Sequence, residues 1–185
     1  VKKAFVFSLC TAAILSMSSG MLWAQTTEAL ANESTAACEA SASVKATPDM
    51  VKAKVDEACE LINKEGSAGF AKLQGKDSPF IFAGTYIWIN DFDGIMLMHP
   101  IKYKMNGNNV LQIKDSNGKM FFVDFIEVCK NKGLGWVDYL WPKPGEKAPS
   151  QKLSYVKKAV CDGKDVVVGC GIYDVSPEEI ATLTK

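Results

Sequence analysis

Between residues 47 and 65, apolar side chains at Val51, Val55, Ala58, Cys59 and Ile62 recur at steps of three and four, with Lys52, Asp56, Glu60 and Lys64 between them. That spacing lines one face of an amphipathic helix. Thr47 stands where an N-cap is needed, and Pro48 suits a first helical turn, where its missing N–H has no partner to lose. Gly66 interrupts the pattern, and residues 67–73 carry a further helical turn or two. The stripe sustains no heptads, so it predicts packing on a core rather than a coiled coil.

From Phe80 the period falls to two. Tyr86, Trp88 and Asn90 alternate with Thr85, Ile87 and Ile89, and Ile95 to His99 follow the loop Asp91-Phe92-Asp93-Gly94. Two strands joined by such a loop predict a β-hairpin. Residues 101–118 are polar and irregular, with turn signals at Asn106-Gly107 and Asn117-Gly118. Helical spacing returns at Phe121, Phe122, Phe125, Ile126 and Cys129 and is stopped by Gly133. Three strands follow over 135–141, 152–157 and 166–173, the last two joined by a turn at Asp162-Gly163. Ser176 and Glu179 match a capping box at the start of a short helix. This order predicts an α+β domain, a central antiparallel sheet of about five strands with helices packed on one face.

The N-terminus follows a different rule. Lys2 and Lys3 precede an uncharged run from Ala4 to Ile14, then small residues and Met21-Leu22-Trp23-Ala24. Basic, apolar and small, in that order, is the pattern of a secretory signal peptide, with the cut expected after Ala24. The run is shorter than the roughly 20 apolar residues that cross a bilayer, which disfavours retention as an uncleaved anchor. Lipid attachment at Cys10 is disfavoured by Leu9, where a small residue is required. Residues 25–46 are rich in Ala, Ser, Thr and Glu and predict a flexible leader, leaving 47–185 as a single domain in the periplasm or outside the cell.

Composition narrows the chemistry. The 21 basic and 21 acidic residues balance, and without the basic head the charge is near −2. That excludes a nucleic-acid binder, which needs a basic face. Every basic residue is lysine, so an anion here meets lysine, histidine, backbone N–H or hydroxyl groups and never a guanidinium fork. Of the cysteines beyond Ala24, Cys161 with Cys170 and Cys38 with Cys59 are the candidate disulfides for an oxidising compartment, with one thiol left over. No cysteine pair has zinc, thioredoxin or haem spacing.

His99, the only histidine, ends a strand before Pro100. A catalytic role needs convergent partners that the sequence does not supply, so donation of a ring N–H to an anion is the stronger reading. Tyrosines and tryptophans spread over the strands serve a core, and their polar handles also suit a pocket with an apolar wall. Trp141-Pro142-Lys143-Pro144-Gly145 is a stiff loop, and Lys152 beyond it is placed to close over a carboxylate. The chain carries no G-x-S-x-G, H-E-x-x-H, P-loop or dinucleotide motif. Asp91 to Gly94 lacks the later acidic ligands of a calcium loop. Neither cofactor nor metal is expected.

Several blocks stand together in one order: Tyr86 to Gly94, Met98-His99-Pro100, Asn106-Gly107-Asn108, Asp115 to Lys119, Gly133 to Pro144, Lys152 to Val156, and Gly169 to Tyr173. In this the chain resembles single Cache domains of type 2 over about residues 48–180. The resemblance implies an extracytoplasmic, PAS-like sensor domain, with a long N-terminal helix on the sheet and a small-molecule pocket between sheet and covering segments. It implies no enzyme. The implied ligand is a short organic acid, and the implied partners are a membrane chemoreceptor or a histidine kinase. The ligand-binding residues it points to are Tyr86, Trp88, His99, Tyr139, Trp141, Lys152 and Tyr155. Most such domains are fused to membrane helices and output domains. No second hydrophobic stretch follows in these residues, so the expectation is a stand-alone periplasmic form. A scaffold with a vestigial pocket, or a secreted enzyme using His99, are the alternatives.

Overall fold

A computed structural model describes residues 19–185, with side chains from Thr26 onward, so residues 1–18 of the expected signal peptide lie outside the described residues. Helix α1 runs over Ser19–Ser41 and α2 over Pro48–Glu65, followed by a 3-10 helix at Gly66–Leu73. The strands are β1 (Ile81–Phe82), β2 (Thr85–Asp91), β3 (Met96–Met98), β4 (Leu134–Pro142), β5 (Pro149–Cys161) and β6 (Lys164–Tyr173). Helix α3 (Phe121–Lys132) precedes β4, and α4 (Pro177–Leu183) closes the chain. All pairings are antiparallel, in the order β1-β2-β6-β5-β4, with β3 paired to β2. The sheet has six strands where about five were expected: β2 and β3 form the predicted hairpin, and the additional strand is the two-residue β1.

The predicted caps form. Thr47 accepts from Met50 N, Ser176 and Glu179 make both halves of a capping box, and Gly133 ends α3 in the left-handed region at φ 78°. Asp162 and Gly163, at φ 49° and 80°, make the two-residue turn that fixes the β5–β6 register. The equivalent turn between β1 and β2 puts Ala83 at φ 47°. A Cβ crowds the carbonyl there, so Ala83→Gly is expected to raise stability by roughly 0.5–1 kcal/mol after its larger unfolded-state entropy is counted. A later urea midpoint at unchanged m-value will show it, and an earlier one refutes it.

Helices cover both faces of the sheet, not one. On the first face Val51, Val55, Ala58 and Ile62 of α2 pack on Ile87, Ile89, Leu153, Tyr155, Val166 and Val168. On the second, Phe121, Phe122, Phe125 and Ile126 of α3 pack on Trp88, Val137, Tyr139, Val156 and Val167. Alternate side chains of one strand go to opposite faces, and both sets here are apolar. That is why β2 and β6 are buried along nearly their whole length.

Residues 25–41, expected within a flexible leader, are helical. The stretch carries few large apolar residues, but Ala31, Ser34 and Cys38 recur at helical spacing and are all buried. Small side chains let the helix approach closely: Ser34 Oγ accepts from Gly75 N at 2.8 Å, and Cys38 Sγ donates to Thr85 O at 3.5 Å. High alanine and glutamate content supplies the helix propensity. No helix among the described residues is long and apolar enough to cross a membrane.

The candidate disulfides are absent. Cys38, Cys59, Cys129, Cys161 and Cys170 are all free and buried. Cys161 opposes Lys164, whereas Cys170 opposes Tyr155, so the two lie at different heights of the hairpin. Six residues along a strand span roughly 20 Å, far beyond the roughly 7 Å a bridge tolerates. Cys38 and Cys59 belong to the cores on opposite faces of the sheet.

Candidate functional site

Lys152 lies on the second face of β5 and is fully enclosed, with a relative exposure of 1%. Opposite it in β6 stands Tyr173, and the flanking position is Gly171. A Cβ on Gly171 would come within 3 Å of Lys152 Cε and Ser154 Oγ, so this glycine makes the room into which the lysine stem folds. Two residues earlier, Gly169 does the same for Trp88, three of whose ring atoms would lie within 3 Å of a Cβ there.

The lysine Nζ donates to Tyr173 Oη at 3.0 Å and to Tyr86 Oη at 3.4 Å. It also lies over the rings of Tyr86, Tyr173 and Trp88, at 4.5, 4.5 and 5.3 Å from their centroids. No carboxylate pairs with it among the described residues, although seven other lysine–carboxylate pairs form, all at partly exposed side chains. A buried ammonium without an anion is costly, because burial strips its hydration. Burial holds the Lys152 ammonium down to about 7, with Lys102 pushing the same way.

Beside Tyr86, at 5.0 Å between ring centroids, sits His99, which is 3% exposed. Its Nδ1 accepts the backbone N–H groups of Ile101 at 3.3 Å and Lys102 at 3.0 Å, while Asn106 Oδ1 receives its own N–H at 2.8 Å. With Nδ1 used as an acceptor, the ring proton belongs on Nε2. Burial, reinforced by Lys152 and Lys102, keeps the imidazole neutral well below its ordinary range. His99 is therefore a neutral donor, which fits anion binding and does not favour proton shuttling near neutrality.

Phe121 stacks on Tyr139 at 4.3 Å and meets Trp141 edge-on at 5.3 Å, forming an aromatic wall. Tyr139 Oη shares a 3.0 Å hydrogen bond with Ser154 Oγ. Lys102 Nζ lies 5.2 Å over the Trp141 ring at the margin of the site. Trp88 Nε1 is buried without a hydrogen-bond partner. A recess of about 250 Å³ opens alongside, between the α1–α2 linker and the β1–β2 turn, with Thr85, Gly171 and Tyr173 on its walls.

Six of the seven expected residues thus share one face: Tyr86, Trp88, His99 and Lys152 at the centre, Tyr139 and Trp141 in the wall. Tyr155 does not join them. It is odd-numbered on β5 where Lys152 and Ser154 are even, so it faces α2 and packs on Trp136 at 5.2 Å. Sequence reasoning omitted Tyr173, Ser154 and the two glycines from the site. The hairpin turn offered a signal for the first: counting back from Asp162-Gly163 sets Tyr173 opposite Lys152.

A family model described as a Cache domain matches residues 78–180. The methyl-accepting chemotaxis protein McpP of Pseudomonas putida is 35% identical over 95 residues, which cover 50% of this chain and 17% of that protein. The sensor histidine kinase MctS of Rhizobium johnstonii is 33% identical over 88 residues, or 48% of this chain and 18% of the kinase. The matched segments thus span less than a fifth of either relative. A crystal structure of a methyl-accepting chemotaxis protein from Vibrio parahaemolyticus superposes with a TM-score of 0.55 at 25% identity, covering 68% of this chain and 86% of that one.

Proposed function

Because this chain belongs to the Cache domain family, we propose that it is an extracytoplasmic sensor module that binds a small carboxylate at Lys152 and reports its bound state to a signalling partner. Cache domains are ligand-binding sensor modules rather than catalysts. The observation that carries the carboxylate reading is the enclosed ammonium of Lys152, which has no carboxylate partner among the described residues. A ligand carboxylate restores the missing charge, accepts the Nε2–H of His99, and is oriented by the Tyr86 and Tyr173 hydroxyls. Trp88, Tyr139 and Trp141 exclude water, which strengthens every polar contact inside. Relatives named as a chemotaxis receptor and a sensor kinase make a membrane signalling protein the proposed partner class. Residues 1–24 serve in this proposal as the export signal.

A thermal-shift panel of organic acids, amino acids, amines and purines tests the ligand class. A short acid at a hundredfold excess over its Kd is expected to raise Tm by roughly 5–10 °C. Tyr155→Phe, on the opposite face, should leave that shift intact. Shifts with amines or purines and none with any acid would overturn the reading.

A further inference from the structure

The geometry points to a proton-linked site, in which the enclosure around Lys152, Tyr86, Tyr173 and His99 takes up its carboxylate together with one proton that ends on Lys152 Nζ. This rests on the carboxylate reading of the same site and adds how binding depends on pH. Five tyrosine, histidine or lysine positions and the thiol of Cys38 face Lys152 from the elements packed around it, and the thiol of Cys170 lies just across β6.

From α1 comes Cys38, whose thiol burial pushes up to about 12. Strand β2 presents Tyr86, raised above its ordinary value by burial. Strand β4 contributes Tyr139, raised well above the ordinary phenol for the same reason. From β6 comes Tyr173, also raised well by burial, while Cys170, raised to about 11, sits beside it in the core of the other face. The segment after β3 gives His99, neutral through burial, and Lys102, lowered by burial at the margin. Helix α3 contributes Phe121, Phe122, Phe125 and Ile126 to this face, together with Cys129, whose thiol burial pushes up to about 12. Near neutral pH the thiols, phenols and imidazole are all uncharged, so none of them balances an ammonium. Lys152 is the enclosed group that changes charge there, and burial has already brought it to about 7.

The linkage follows from charge balance. Above neutrality the free site holds a neutral amine. A carboxylate entering a water-poor pocket brings one negative charge, and opposite charge in contact favours the protonated amine. One N–H bond forms at Nζ, and the proton is released by a buffer acid outside. The bound state is an ion pair with no net change in enclosed charge. Below neutrality the amine already carries its proton and uptake vanishes.

Titration calorimetry on the intact chain tests this without any variant. Sodium acetate, propionate and glycolate are each titrated at pH 8.5 and pH 5.5, in pairs of buffers with small and large ionisation enthalpies. At pH 8.5 the observed enthalpy should change with buffer in proportion to uptake of nearly one proton, and at pH 5.5 with almost none. Affinity should weaken by about tenfold per pH unit above neutrality, as linkage to one proton requires. Binding with a buffer-independent enthalpy at pH 8.5 would overturn the proton linkage and leave the carboxylate reading standing. No heat and no thermal shift with any of the three acids at either pH would overturn both. As a second measurement, Lys152→Met that still binds with undiminished buffer dependence would place the proton elsewhere and refute the assignment.

Discussion

Lys152→Met is expected to make the ligand-free protein more stable while abolishing carboxylate binding. Methionine keeps the length and apolar contacts of the stem and removes a charge that no described carboxylate pairs. Replacing an enclosed, uncompensated charge by an apolar side chain is worth roughly 1–4 kcal/mol, offset in part by the three ring contacts of the ammonium. For a chain of this size that is about 3–12 °C in Tm. The sign has a pH signature. The unfolded lysine keeps its ordinary value of 10.5, whereas the folded one is held to about 7 by burial. Between those values the unfolded chain binds a proton that the native state has released, so wild-type stability rises with pH across that window. The advantage of the variant is therefore greatest below about pH 7 and shrinks toward 10.5. Affinity for the acid should fall by at least about a hundredfold, since one partner of an enclosed charge pair is gone. A lower Tm in the variant, measured at pH 6 without ligand, would show that Lys152 contributes to stability and is not held against it.

The second large effect concerns a position with no side chain. Gly169→Ala is expected to destabilise the fold by roughly 1–3 kcal/mol, because the new Cβ would sit within 3 Å of three atoms of the Trp88 ring. Neither side can yield easily. The β6 backbone is paired on both edges, to β2 and β5, and the Trp88 ring is backed by Phe125 at 5.4 Å. Gly171→Ala makes the useful contrast. Its Cβ meets Lys152 Cε and Ser154 Oγ, the far parts of side chains that rotate away more readily. Its main loss should thus be in ligand affinity, and that of Gly169→Ala in denaturation midpoint. Wild-type midpoints and affinities in both variants would mean that the two glycines do not set the floor of the site.

Much of the element pattern was legible because it follows from local rules. The Thr47 cap, the Pro48 start, the Gly133 stop, the Asp162-Gly163 turn and the Ser176/Glu179 box each depend on a few neighbouring residues. The α1 helix was not legible in the same way. Its buried stripe is Ala31, Ser34 and Cys38, and small residues look like a solvated leader until a close neighbour such as Gly75 is known. The candidate disulfides failed for a related reason, since distance in sequence does not give height along a hairpin.

For the site, residue types were legible and their grouping was not. Aromatic, histidine and lysine positions on strands announced a polar pocket with an apolar wall, and the absence of arginine left lysine as the cation for any acid. The sequence alone therefore determined the strands, the turns, the repertoire of donors and the resemblance to a sensor family. Which of two apolar faces each side chain joins was decided only in three dimensions. There, β5 parity turned Lys152 toward Tyr86 and Tyr173 and turned Tyr155 toward α2. The lack of a counter-ion among the described residues is likewise tertiary. A lysine is a surface residue by default, and only enclosure by β2, β6, α1 and the segment after β3 makes its unpaired charge the most consequential feature of the protein.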